Sequence, residues 1–141
     1  MPHDNVEIAR AFNRAFNAGD VEALVACCDP DVEFQSSLAR IGGAAYRGHD
    51  GARRWYRDIA SEWSDEVRSE LETLFDLGDH VLVFSLLRGR GPHSGVEVEV
   101  PAAMVMRMEN SRIAYFKGYA HREDALADLG VSEAELDPIP A

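Results

Sequence analysis

The sequence predicts an α+β domain in which three N-terminal helices pack on one face of a strongly bent, mainly antiparallel sheet. Two observations carry this. Apolar residues recur at helical spacing in the first half, and from about residue 67 the period changes to the alternation of strands. Helices first and strands afterwards is the order of the α+β class, not of alternating βαβ units.

The first helix opens on a capping-box pattern, Asp4 with Glu7. Ile8, Ala11, Phe12, Ala15 and Phe16 then form one apolar stripe, and Gly19 stops it. Asp20 caps a second helix bearing Val21, Leu24, Val25 and Cys28, which Asp29-Pro30 is expected to end because a residue before proline leaves helical geometry. Asp31 to Gln35 alternates as a strand, and Ser36 to Gly48 is a loop of small residues. Asp50 starts a third helix whose heavy face is Ala52, Trp55, Tyr56, Ile59 and Trp63, ended by Ser64-Asp65. Strands follow over Val67–Leu77, His80–Arg90, Val96–Met108 and Arg112–Ala120, with hairpin turns at Gly78-Asp79, Gly91–Gly95 and Asn110-Ser111. Glu123 to Leu129 closes as a short helix stopped by Gly130. The domain is expected to span residues 1–130, and the acidic tail, 131–141, to be loosely held.

With 141 residues and 46% hydrophobic composition, the chain makes one domain with one sizeable core. A net charge of −11 repels phosphate backbones, so nucleic acid is not an expected partner. Arg53, Arg54 and Arg57 are surrounded by acids and read as a solvated helix face. No basic leader or apolar run of spanning length is present, so a soluble cytoplasmic protein with no membrane partner is expected. Cys27 and Cys28 are adjacent and have no distant partner; they read as small helix residues, with a redox pair as the alternative. The histidines lack H-E-x-x-H spacing and the cysteines lack C-x-x-C, so neither a metal nor any other cofactor is expected. Asp29 and Asp31 alone are too few ligands for calcium. Gly89-Arg90-Gly91 lies between strands, without the helix N-terminus that binds phosphate, and no G-x-S-x-G elbow occurs.

Five segments stand in a characteristic order: Phe16-Asn17-Ala18-Gly19-Asp20; Asp29-Pro30-Asp31-Val32-Glu33-Phe34; Tyr46-Arg47-Gly48-His49-Asp50-Gly51; Gly78-Asp79-His80-Val81; and Arg112-Ile113 leading to Tyr119 and Ala125-Leu126. From Asp4 to Gly130 the chain thereby resembles the SnoaL-like family of the nuclear transport factor 2-like superfamily. The resemblance implies a cone-shaped, cystatin-like α+β barrel wrapped around the first helix, with a pocket inside. It also implies a homodimer formed through the outer sheet face. The superfamily includes polyketide cyclases, ketosteroid isomerases, dehydratases and epoxide hydrolases, and members that only bind, so the site must decide.

Carried over on those motifs, the isomerase-like tyrosine falls at Phe12, the carboxylate base at Phe34 and the oxyanion acid at Met104. None of these side chains moves a proton or donates a hydrogen bond. The acid that hydrolase- and cyclase-like members place before the last-strand tyrosine falls at Gly118, and His121 stands where a strand-end acid is usual. This argues against an enzyme of either kind. Strand parity agrees: Ala114, Phe116, Gly118 and Ala120 share one face, Tyr115, Lys117, Tyr119 and His121 the other, and Met104, Met106 and Met108 point inward. The cavity is then expected to be lined by Phe12, Phe16, Phe34, Trp55, Ile59, Trp63, Met104, Met106, Phe116 and Gly118, unless these side chains simply fill a solid core. Tyr46 and His49, near the expected mouth, are the remaining acid–base candidates, though His49 also reads as a surface turn residue. Glu33 points outward, and Leu82, Phe84 and Leu86 form an outer apolar row that needs cover. The expected function is the binding of a small hydrophobic molecule in an apolar cone. The alternatives are a cyclase- or isomerase-like enzyme on a polycyclic or terpenoid substrate, and a dimeric structural module.

Overall fold

A computed structural model gives the structure of residues 4–36, 45–63, 67–90 and 96–141, without the side chains of residues 62 and 63. The apolar stripe of the first helix, α1 (Asp4–Ala18), buries Val6, Ala9, Phe12, Ala15 and Phe16, together with Asn13. Gly19 ends it at φ +69°, a conformation that costs glycine little. Asp20 caps α2 (Val21–Ala26), its carboxylate accepting from the Ala23 N–H at 3.1 Å.

The second helix stops earlier than the Asp29-Pro30 step. Cys27 forms its C-cap, and β1 (Cys28–Ser36) begins at Cys28, so Cys28 is a strand residue. The reason is pairing. Ile113 N–H donates to the Cys27 carbonyl at 2.9 Å and Cys28 already faces Ile113 in a parallel ladder. The ladder is irregular between Cys28 and Glu33, where Pro30 has no N–H to offer. Both thiols stay reduced and apart, each donating to the carbonyl four residues back at 3.5 Å.

The short strand β2 (Tyr46–Arg47) leads into α3 (Gly48–Trp63), which starts before Asp50, at a glycine with φ +71°. Arg53 is paired rather than merely solvated: it clamps Glu22 of α2 and Asp50, at 2.9 and 2.7 Å. Beyond lie β3 (Arg68–Asp76), β4 (His80–Arg90), β5 (Glu97–Glu109), β6 (Arg112–Tyr119), α4 (Arg122–Leu129) and β7 (Ile139–Pro140). Asn110 and Ser111 take φ 52° and 62°, the left-handed pair of a tight hairpin turn. The sheet order is β2-β1-β6-β5-β4-β3-β7, antiparallel except for β1 beside β6. The fold is therefore the α+β class expected, with a fourth helix closing it. The Gly91–Gly95 turn, the end of α3 at Ser64-Asp65 and most of the Ser36–Gly48 loop lie outside the described residues.

Two cores result. The concave face of the sheet packs on α1 and α3 through Phe12, Phe34, Trp55, Met104, Met106 and Phe116. The outer face carries Phe75, Leu82, Phe84, Ala103, Val105 and Tyr119. The outer row thus needs no second chain at Leu82 and Phe84, which are 0% and 4% exposed. Ala125, Leu126 and Leu129 of α4, with Leu136 beyond it, cover them. Arg122 fixes this cover: its guanidinium lies 4.9 Å over the Phe84 ring, donates to the Ser85 carbonyl at 2.9 Å and pairs with Glu72. Leu86 is only half-buried. The C-terminal segment is tied down, not loose. Ile139 and Pro140 pair with Leu74 and Thr73, and Arg10 donates to the Pro140 carbonyl at 3.0 Å.

Two expected outcomes follow from close contacts. A Cβ on Gly51 would stand 2.8 Å from the Tyr46 carbonyl carbon, so Gly51→Ala must force β2 away from α3. Chemical denaturation is expected to show a loss of about 1–3 kcal/mol; an unchanged midpoint would place β2 elsewhere. Burial pushes the Cys28 thiol up from its ordinary 9.0 to about 12. The unfolded chain therefore ionises first, so stability is intact below about pH 9 and falls, at up to ~1.4 kcal/mol per pH unit, as pH rises toward 12. Cys28→Ala is expected to shed that part of the alkaline loss, read as the difference in pH slope between the two proteins.

Candidate functional site

Four rings from four elements meet inside the cone. Phe12 of α1, Phe34 of β1, Trp55 of α3 and Phe116 of β6 lie with ring centroids 4.9 to 6.2 Å apart. Each arrives by periodicity: Phe12 from the α1 stripe, Trp55 from the α3 face, and Phe34 and Phe116 as direct partners in the parallel ladder. Phe16 and Tyr56 extend the cluster edge to face, at 5.5 Å.

Beside this cluster is a cavity of about 20 Å3, room for roughly one water molecule. Its lining is Phe12, Asn13, Phe16, Trp55, Ile59, Ser69, Leu87, Met104 and Phe116, and the surface it presents is apolar. Six of the residues expected on sequence grounds are there: Phe12, Phe16, Trp55, Ile59, Met104 and Phe116. Phe34 and Met106 are fully buried in the same core but do not reach the cavity. Gly118 lies opposite Met104 in the ladder, also away from it. The Trp63 side chain lies outside the described residues.

Asn13, Ser69 and Leu87 line the cavity without having been expected. Asn13 and Asn17, one turn apart on α1, both donate to the Ser69 carbonyl, at 3.0 and 2.9 Å, and Asn17 accepts from the Ser69 N–H at 2.7 Å. These bonds hold the start of β3 against α1. The one sequence signal was Asn13 itself, a polar residue beside Phe12 and Phe16. Among the described residues, Trp55 Nε1, Ser69 Oγ and Ser85 Oγ are buried without hydrogen-bond partners. Burial of that kind carries a free-energy penalty of about 1–3 kcal/mol per group.

The acid–base candidates stand elsewhere. Tyr46 donates to Asp58 at 2.5 Å, pinning β2 to α3. His49 Nε2 lies 3.0 Å from the Cys28 carbonyl, which can only accept, so Nε2 carries the proton. His49 thus joins α3 to β1. Tyr119 sits in the outer core; burial first, then its bond to Asp128 at 2.7 Å, raises its pKa. Glu33 is on the outer side with Arg47, 3.2 Å away. His121 is exposed ahead of α4. None of these groups lines the cavity, and no metal-holding group of three or more His, Cys, Asp or Glu residues occurs among the described residues.

The fold has many solved counterparts. An NTF2-like protein of unknown function from Burkholderia pseudomallei superposes with TM-score 0.74 at 21% identity, over 88% of this chain and 95% of that one. A protein of ketosteroid isomerase-like fold from Catenulispora acidiphila, solved with trimethylamine, gives 0.73 at 21%, over 89% and 94%. TerC, co-crystallised with polyporic acid, gives 0.74 at 19%, over 89% and 97%. No curated protein matches the chain. The family model of the SnoaL-like domain matches residues 9–116, most of the chain, from within α1 to within β6. This protein belongs to the SnoaL-like domain family.

Proposed function

We propose that the domain binds a small, mainly apolar molecule inside the cone and performs no acid–base chemistry there. The observation that carries this is the lining: Phe12, Phe16, Trp55, Ile59, Leu87, Met104 and Phe116, with Asn13 and Ser69 beside them, present an apolar surface and no ionisable side chain. Pockets for small molecules are largely apolar with few polar groups, and apolar cavities stay dry. Two counterparts of this fold were solved with small molecules, trimethylamine and polyporic acid. The cavity at about 20 Å3 takes only a small group as it stands, so a larger ligand must displace side chains. Met104, Leu87 and Ile59 are unringed and reorient most readily, methionine above all.

An isomerase- or cyclase-like activity has less support, because the positions that would carry it are Phe12, Phe34, Met104 and Gly118, all buried and none able to pass a proton. A structural module is favoured by the small free volume. The outer row, however, gives a homodimer no apolar seat at Leu82 and Phe84, since α4 already covers them.

Thermal-shift measurement with a panel of small apolar and aromatic compounds tests the proposal. A compound at a hundredfold excess over Kd is expected to add about 2.7 kcal/mol of stability. Leu87→Phe, which fills the space, is expected to abolish the shift. If no compound moves the wild-type transition, or if Leu87→Phe responds equally, the cone is only a scaffold.

A further inference from the structure

We propose that the molecule taken into the cone is an uncharged carbonyl compound, its oxygen accepting hydrogen bonds from Trp55 Nε1 and Ser69 Oγ. The inference rests on the binding proposal above and names the class of its ligand. Among the described residues, and apart from Arg88 Nε with the Glu99 carboxylate 3.2 Å away, the buried side-chain polar atoms without a hydrogen-bond partner are Trp55 Nε1, Ser69 Oγ and Ser85 Oγ. Ser85 is not part of the cavity lining. Trp55 of α3 and Ser69 of β3 both line it, and each is only 3% exposed. Neither group is free to swing away. The Trp55 ring is held among Phe12, Phe16, Phe34 and Phe116, at centroid distances of 5.0 to 5.9 Å. The Ser69 backbone is clamped to α1 on both sides of its peptide, its carbonyl by Asn13 and Asn17 and its N–H by Asn17. Two positioned donors from different elements thus stand at one apolar space, each carrying the penalty of an unmade bond.

Chemistry selects the occupant. An indole N–H only donates, and a serine hydroxyl can donate. A carbonyl oxygen has two lone pairs, so it takes both bonds and brings no donor that would itself need a partner. A carboxylate would be buried without a cation, because no ionisable side chain lines the space. A lone water fits about 20 Å3, but the surface there is apolar and the two polar atoms have no exposed area. Reaching them requires lining side chains to move. A ligand with an apolar body offsets that cost by its own burial, and a water does not.

The test compares the binding of acetophenone and of α-methylstyrene, in which a methylene group replaces the carbonyl oxygen, to the full chain by calorimetry. In Ser69→Ala, which keeps the backbone bonds to Asn13 and Asn17, the affinity ratio is expected to move against the ketone by about fivefold, the factor set by ~1 kcal/mol for one hydrogen bond. The Trp55 indole N–H resonance, identified as the one that remains in Trp63→Phe, is expected to move downfield with acetophenone and not with α-methylstyrene. If both compounds bind but the ratio is unchanged in Ser69→Ala, or the resonance does not respond to the ketone, the carbonyl assignment is refuted and apolar binding stands. The same holds if neither binds while other compounds of the apolar panel do. If nothing in the panel binds, both proposals fall. If the indole N–H of the ligand-free protein contacts a long-lived water that acetophenone does not displace, the donors serve that water and the carbonyl assignment is overturned.

Discussion

The mutual packing of Phe12, Phe34, Trp55 and Phe116 is the constraint on which the rest of the structure depends. Each ring belongs to a different element, α1, β1, α3 and β6, and the closest centroids are 4.9 Å apart. The cluster therefore fixes both helices against the bent sheet at one point. It also determines what the interior can do. Its rings have no group that transfers a proton. An apolar space lies beside the cluster, bounded by α1, α3 and the β3–β6 face.

The periphery is secured by polar groups, of which Asn13 also lines the cavity. Asn13 and Asn17 anchor β3 on α1, His49 and Tyr46 anchor α3 on β1 and β2, and Arg122 anchors α4 on the outer face. His49 and Tyr46, the acid–base candidates in the sequence, serve in these joints. The C-terminal segment completes the same design. It covers the outer core with Leu126, Leu129 and Leu136 and supplies β7 to the edge of β3, leaving that edge partly paired.

Local rules made much of this legible. The Gly19 stop, the Asp20 cap, the bounds of β4, the Asn110-Ser111 turn and the inward methionines follow from backbone sterics and alternation, which act over a few residues. The misplaced features depend on partners far along the chain. The end of α2 is set by Ile113 pairing with Cys28, and Asn13 becomes an interior residue only because Ser69, 56 positions away, presents its backbone. Alternation assigned Leu82 and Phe84 to the outer face correctly, but it says nothing of what lies over a face; that is decided by where α4 returns. Cavity size was illegible for the same reason, since a list of apolar residues does not state how closely their rings approach.

The central claim, an interior space that takes an apolar guest, is tested most directly by diffraction from crystals held under xenon. A xenon atom is expected between Phe16, Ile59, Leu87 and Met104, with no change in the protonation-dependent groups around the cone. Ordered water hydrogen-bonded in that space, or a carboxylate or imidazole turned into it, would contradict the account.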